Sequence, residues 1–219
     1  MQVRRVGPVV PVVRVSPGGT YDALGTAFAI SRNRYATAAH VVQRRDEGLC
    51  VAFSADDPND GYQDTTNTGR HLLEAKLVEV DPVRDIAILE VAGIDYDIRY
   101  SIGSSDDVLP GTPIYTVGYP HADYGRLVLT QQSSTVGARI LIGSGPIKTK
   151  HLVLNIQTRP GQSGSPVFAR NNGAEIISAM VIGSYAPNTP RMIIGTIDPD
   201  TLHQTTHAIS AEYIRRMMA

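Results

Sequence analysis

The chain has 219 residues, 42% of them apolar and 19% charged, with no Trp, three Phe and a formal net charge of −1. That mixture excludes a disordered chain, and the length allows a real core in one large domain or two small ones. Near-neutral charge argues against a nucleic-acid or anionic-membrane binder, which needs a basic face, and no apolar run approaches a membrane span. Cys50 is the only cysteine, so no internal disulfide can form. A reducing compartment fits that most simply, so a cytoplasmic location is expected.

In chain order, Met1–Pro8 carries two arginines ahead of valines. Pro8, Pro11 and Arg14 break the apolar run and no small-residue cleavage site follows, so the start reads as an edge strand rather than a signal peptide. Strands are then expected at Val9–Val15, Gly25–Ser31, Tyr35–Val42, Val51–Ser54, Leu72–Val80 and Ile86–Val91, enough to close a small barrel. Asp56–Gly69 is polar and without periodicity, an exposed loop whose carboxylates lack the spacing of a calcium hand. Asp95–Gly111 reads as a linker. A second set of strands is expected at Ile114–Gly118, Leu127–Gln132, Val136–Ile142, Leu152–Gln157, Ser165–Ala169, Glu175–Tyr185 and Met192–Ile197, with Asn171-Asn172-Gly173 as a hairpin turn. Ser210 then caps a terminal helix, with Glu212 in its first turn and arginines near its end. The expected architecture is all-β. A first six-stranded antiparallel barrel fills 1–94, a linker 95–111 and a second six-stranded barrel 112–206, with a helix over 207–219.

Arg159-Pro160-Gly161-Gln162-Ser163-Gly164-Ser165-Pro166-Val167 places a serine in a tight glycine-flanked turn that can aim backbone N–H groups at one point. A serine hydroxyl is a weak nucleophile and needs a base. Thr37-Ala38-Ala39-His40 supplies one, and Asp85 in Asp85-Ile86-Ala87-Ile88-Leu89 supplies a carboxylate to orient it. Asp81, before Pro82, reads as a turn residue instead. His203 and His207 stand four apart without a nearby carboxylate or thiolate ligand and read as surface histidines. Cys50 reads as a small buried hydrophobe. No metal or cofactor is expected.

These motifs, in the order His, Asp, Ser, resemble the chymotrypsin-fold serine proteases, nearest to the bacterial HtrA-like and glutamyl-endopeptidase-like branches. The resemblance rests on Gly25-Thr26-Ala27-Phe28 with Tyr35–Val42, on Asp81–Leu89 and on Gly161–Phe168, and it extends over nearly the whole chain. It implies a serine endopeptidase acting on protein or peptide substrates, its active site in the cleft between the barrels, with Ser163 as nucleophile, His40 as base and Asp85 as orienting carboxylate. The amides of Gly161 and Ser163 would form the oxyanion hole; Pro160 has no N–H to give. Pancreatic relatives carry an Asp before the nucleophile that pairs with a cleaved N-terminal amine. Gln162 stands here instead, so that activation route is absent. No PDZ domain is expected beyond Ala219.

By the same resemblance Gln157 and Thr158 line the S1 pocket, and neither is the carboxylate that an Arg or Lys side chain requires. A gapless count from Ser163 adds Met180 to that wall, and another register adds Ser184 or Tyr185. A medium, uncharged residue before the scissile bond is expected. Two alternatives stand beside the active enzyme: an inert protease-like binding module, and a protease held latent until a regulatory protein partner orders its oxyanion loop.

Overall fold

Its wealth of valines makes Val9–Val15 a strand, β1, over the bounds the pattern predicts. The computed structural model that contains it describes residues 9–43, 45–54, 61–67, 69–93, 98–185 and 205–218. Part of Asp56–Gly69, the start of the expected linker, the strand expected at Met192–Ile197 and His203 lie outside the described residues.

β1 is followed by β2 (Tyr21–Ala29), β3 (Arg34–Ala38), β4 (Leu49–Ser54), β5 (Arg70–Asp81) and β6 (Ile86–Val91). They close into an antiparallel barrel in the order β1-β2-β3-β6-β5-β4. Val12, Phe28, Tyr35, Leu49, Ile86 and Leu89 are all buried in one cluster.

After the two-residue strand β7 (Ser101–Ile102) come β8 (Pro113–Gly118), β9 (Thr130–Ser144), β10 (Ile147–Leu154), β11 (Pro166–Asn171), β12 (Ala174–Tyr185) and β13 (Thr205–Ser210). The order β11-β8-β9-β10-β13-β12, closed by β11 against β12, makes the second six-stranded barrel. β7 lies parallel along β12, so the expected linker contributes an edge strand rather than a bare spacer. Its interior holds Ile114, Leu152, Leu154, Val167, Ala179 and Ala208.

Three expectations are corrected. Leu127–Gln132 and Val136–Ile142 are not two strands, because Thr130–Ser144 runs as one. Residues 207–210 belong to β13, since they pair with β10 on one side and β12 on the other. The terminal helix is therefore only the short α2, Glu212–Met217. Ser210 does not cap it; its Oγ accepts the Ser105 N–H at 3.0 Å. The hairpin at Asn172 and Gly173 forms as expected, both with positive φ (50° and 82°).

The barrels meet through side chains that need each other. Tyr100 and Tyr119, both buried, reach from the second half to donate to the carbonyls of Ala29 (2.6 Å) and Val9 (3.1 Å). The Gln63 amide both donates to and accepts from the Leu129 backbone, at 2.8 and 2.7 Å. Among the described residues no helix is long and apolar enough to cross a membrane.

Candidate active site

The chain leaves β3 in a single helical turn, α1 (Ala39–Val42), instead of continuing as strand to Val42. Ala38 stays extended as its first cap and Gln43 ends it in the left-handed region (φ 53°). The turn lifts His40 out of the sheet, where it is exposed, while Ala39, Val41 and Val42 stay buried.

Asp85 meets that turn from the start of β6 and is itself left-handed (φ 57°), a conformation aspartate tolerates better than most residues. Its main-chain oxygen accepts from Ala39 N–H at 3.0 Å. Its carboxylate takes the His40 backbone N–H at 2.8 Å and the His40 Nδ1 at 2.6 Å. An ionised carboxylate can only accept, so Nδ1 is the donor in that contact and Nε2 is the nitrogen turned away from Asp85. Asp81 is occupied elsewhere, accepting from the N–H groups of Val83 and Arg84 and pairing with the Arg84 guanidinium.

Ser163 lies in the second barrel, on the loop between β10 and β11, and the barrels touch beside it. A side chain on Gly25 would stand 2.7 Å from Val41, the residue after His40, and 3.0 Å from the Ser163 carbonyl. Around the serine every carbonyl from 160 to 163 is held. Pro160 O accepts from His121 N–H (2.7 Å), Gly161 O from Thr26 Oγ1 (2.8 Å), Gln162 O from Ser165 N–H (3.0 Å) and Ser163 O from Thr26 N–H (2.9 Å). Gln162 N–H donates to Arg159 O and Gly164 N–H to Val181 O. The amides of Gly161 and Ser163 donate to no described residue. In a planar trans peptide the N–H points opposite the carbonyl, so pinning Pro160 O and Gln162 O fixes the direction of both amides.

Gln162, singled out because it cannot form an ion pair, is fully buried. Its side chain accepts from Arg159 N–H at 2.7 Å and donates to Gln132 Oε1 at 2.6 Å, bracing the turn by hydrogen bonds alone. Thr158 is buried and its hydroxyl lies 3.2 Å from that of Thr206 on β13; Gln157 is half-buried. Met180 is different. It is fully buried in the cluster between the barrels with Phe168, Ile177 and Ile209. The register slips between Val167↔Ala179 and Phe168↔Ile177, so β12 carries one extra residue at Ser178. Val181, whose amide and carbonyl bond Ser165 and Gly164, is the residue bracketing the serine turn.

His207 is half-buried on β13 and burial lowers its pKa. The more deeply buried His151, unremarked in the sequence, is pushed down to about 4 by burial first and by His207 second. Cys50 is half-buried, and burial, with Glu74 adding, raises its thiol pKa. Among the described residues no group of three His, Cys, Asp or Glu is placed to hold a metal. Thr26, His121, Gln132 and Thr206 were missed as site residues. Only Thr26 carried a signal, its place in the quoted Gly25–Phe28 motif.

The family profile described as trypsin-like peptidase domain matches residues 25–176. A probable periplasmic serine endoprotease, DegP-like, of Ectopseudomonas mendocina (strain ymp) is 29% identical over 163 residues, 73% of this chain and 30% of the relative. Its namesake from Pseudomonas fulva (strain 12-X) is 31% identical over 164 residues, 70% of this chain and 29% of the relative. The chain thus spans about three tenths of the length of these curated relatives. Among solved structures, the HtrA-type protease AlgW with decapeptide superposes with a TM-score of 0.67 at 17% identity, covering 96% of this chain and 62% of that one. The active form of the Rv3671c protease from M. tuberculosis gives 0.63 at 20% identity, with 94% and 77% covered. The latter two are likenesses of fold. The relatives' names overturn the cytoplasmic location expected above and point to a periplasmic or secreted one. An oxidising compartment permits disulfides without requiring them, so one cysteine could not decide the matter.

Proposed function

Because the chain belongs to the trypsin-like peptidase family, we propose that it is a serine endopeptidase whose triad is His40, Asp85 and Ser163. Ser163 Oγ attacks the carbonyl carbon of a peptide bond as its proton passes to His40 Nε2. Asp85 holds the ring by its Nδ1–H and stabilises the imidazolium that forms. The tetrahedral oxyanion takes two hydrogen bonds, from the Gly161 and Ser163 amides. His40 then gives the proton to the leaving amine. Water, deprotonated by the same nitrogen, hydrolyses the acyl-enzyme and returns Ser163.

The observation that carries this reading is the loop's hydrogen-bond inventory. Every carbonyl from 160 to 163 is engaged, and the two amides left without a described acceptor are the two an oxyanion needs. Donors fixed before reaction need no reorganisation when charge develops. Gln157 and Thr158, with Thr206 behind it, form the S1 wall in this proposal, which offers hydroxyls and an amide but no carboxylate. The preferred residue before the scissile bond is accordingly uncharged, and the substrates are proteins or peptides. No observation among the described residues favours the inert or latent alternatives.

A fluorophosphonate probe applied to wild type and to Ser163→Ala tests the proposal. Covalent labelling of wild type alone is the expected result. A wild type that melts cooperatively yet stays unlabelled would overturn it.

A further inference from the structure

We propose that Thr26 is the positioning residue through which the histidine-bearing barrel sets the oxyanion loop of the serine-bearing barrel; this rests on the reading of the site just given. Thr26 is a fully buried residue of β2 with its whole polar inventory committed. Its Oγ1 donates to Gly161 O at 2.8 Å and accepts from Tyr119 N–H at 3.2 Å. Its backbone N–H donates to Ser163 O at 2.9 Å. Its carbonyl accepts from Thr37 Oγ1 at 2.7 Å, and Thr37 lies on β3 three residues before His40.

One residue of the first barrel thus grips the loop on both sides of Gln162 and is gripped in turn by the strand that delivers His40. The consequence is geometric. Gly161 carries an oxyanion donor on its N side and the carbonyl held by Thr26 on its C side. Pro160 O, fixed by His121, orients the Gly161 N–H that shares its peptide plane, and the hold at Gly161 O anchors the next plane, so the N–H cannot turn by rotation about Gly161. The Tyr119 amide that bonds Thr26 belongs to the segment whose next residues, His121 and Ala122, contact Pro160 and Gly161. Losing the Thr26 hydroxyl therefore frees the loop carbonyl and the neighbouring segment together.

Thr26→Val is nearly isosteric and keeps the backbone bonds while removing both hydroxyl bonds. Thr26→Ser keeps the hydroxyl and loses a methyl. The readout is the rate of Ser163 labelling by a fluorophosphonate, whose phosphoryl oxygen enters the oxyanion hole, measured far below each variant's melting temperature so that stability alone moves nothing. Thr26→Val is expected to label about 10- to 100-fold more slowly, and Thr26→Ser within threefold of wild type. If Thr26→Val does not fold, Thr26→Cys, with a weak thiol donor, is expected to label at least threefold more slowly. Labelling of folded Thr26→Val, or failing that of Thr26→Cys, at the wild-type rate overturns the Thr26 role and leaves the endopeptidase reading standing. A folded but unlabelled wild type overturns both.

Discussion

Gly161→Ala is the sharpest perturbation of the proposed oxyanion hole. Gly161 has φ +91°, and a Cβ there would stand 2.3 Å from Tyr119 O and 2.9 Å from Ala122 N and Cβ. The atoms met are mostly backbone, so no flexible side chain can swing aside. The left-handed conformation alone costs a non-glycine residue about 1–2 kcal/mol. Relieving both strains requires turning the 160–161 peptide or displacing the segment from Tyr119 to Ala122, and either move redirects the Gly161 N–H away from the developing charge. Loss of one such donor costs roughly 2.7–4 kcal/mol in the transition state, a fall in kcat of about 100- to 1,000-fold. KM should change far less, because the donor acts on an oxyanion the ground state does not have. Steady-state kinetics on a fluorogenic peptide, with a thermal melt beside them, make the measurement. The melting temperature should drop by a few degrees. A folded variant with kcat within threefold of wild type would show that this amide is not an oxyanion donor.

Asp85→Asn keeps a residue that tolerates φ near +57° but loses the charge that fixes the His40 tautomer. In serine proteases with a Ser-His-Asp triad the equivalent change costs about 10⁴ in kcat; a loss below tenfold in single-turnover acylation would remove Asp85 from the proposed triad. Gln132→Leu leaves the buried Gln162 amide nitrogen without its acceptor, and chemical denaturation should show a loss of about 1–3 kcal/mol. No measurable change would mean that another group takes over the bracing. Burial holds the His151 pKa down to about 4, so between about pH 4 and 6.5 the unfolded chain binds a proton that the folded chain refuses. Stability should be full above about pH 6.5 and fall as pH drops towards 4, by up to about 3 kcal/mol. In His151→Gln, melts at pH 7.5 and 5 should lie closer together than in wild type; an equal gap would assign the acid sensitivity elsewhere.

What could be read in advance was whatever local pattern dictates. Val9–Val15 and Ile86–Val91 have the bounds that their valine and isoleucine patterns predict, and the Asn-Gly turn is specified by its own two residues. His40, Asp85 and the serine turn stood out because each is framed by a local motif. β13 did not: Thr205–Ser210 is too short to separate by pattern from the helix that follows, and it is its pairing with β10 and β12 that makes it a strand. The Ser178 bulge was invisible for a similar reason: only pairing with β11 reveals a surplus residue. Thr26 meets Gly161 across 135 residues of sequence. No window along the chain contains that contact, and no hydrophobic period encodes the Gln162–Gln132 bond.

The sequential division of the strands between the barrels has a consequence during synthesis. Barrel closure from β1 to β6 uses no strand beyond Val91, so His40 and Asp85 can meet while Ser163 is still unmade. At 5–20 residues per second, the ribosome needs roughly 4–14 s more to reach that serine. Throughout that interval the chain holds the proposed base and carboxylate but neither the proposed nucleophile nor its loop. On the proposed triad, a half-made copy carries no complete hydrolytic centre.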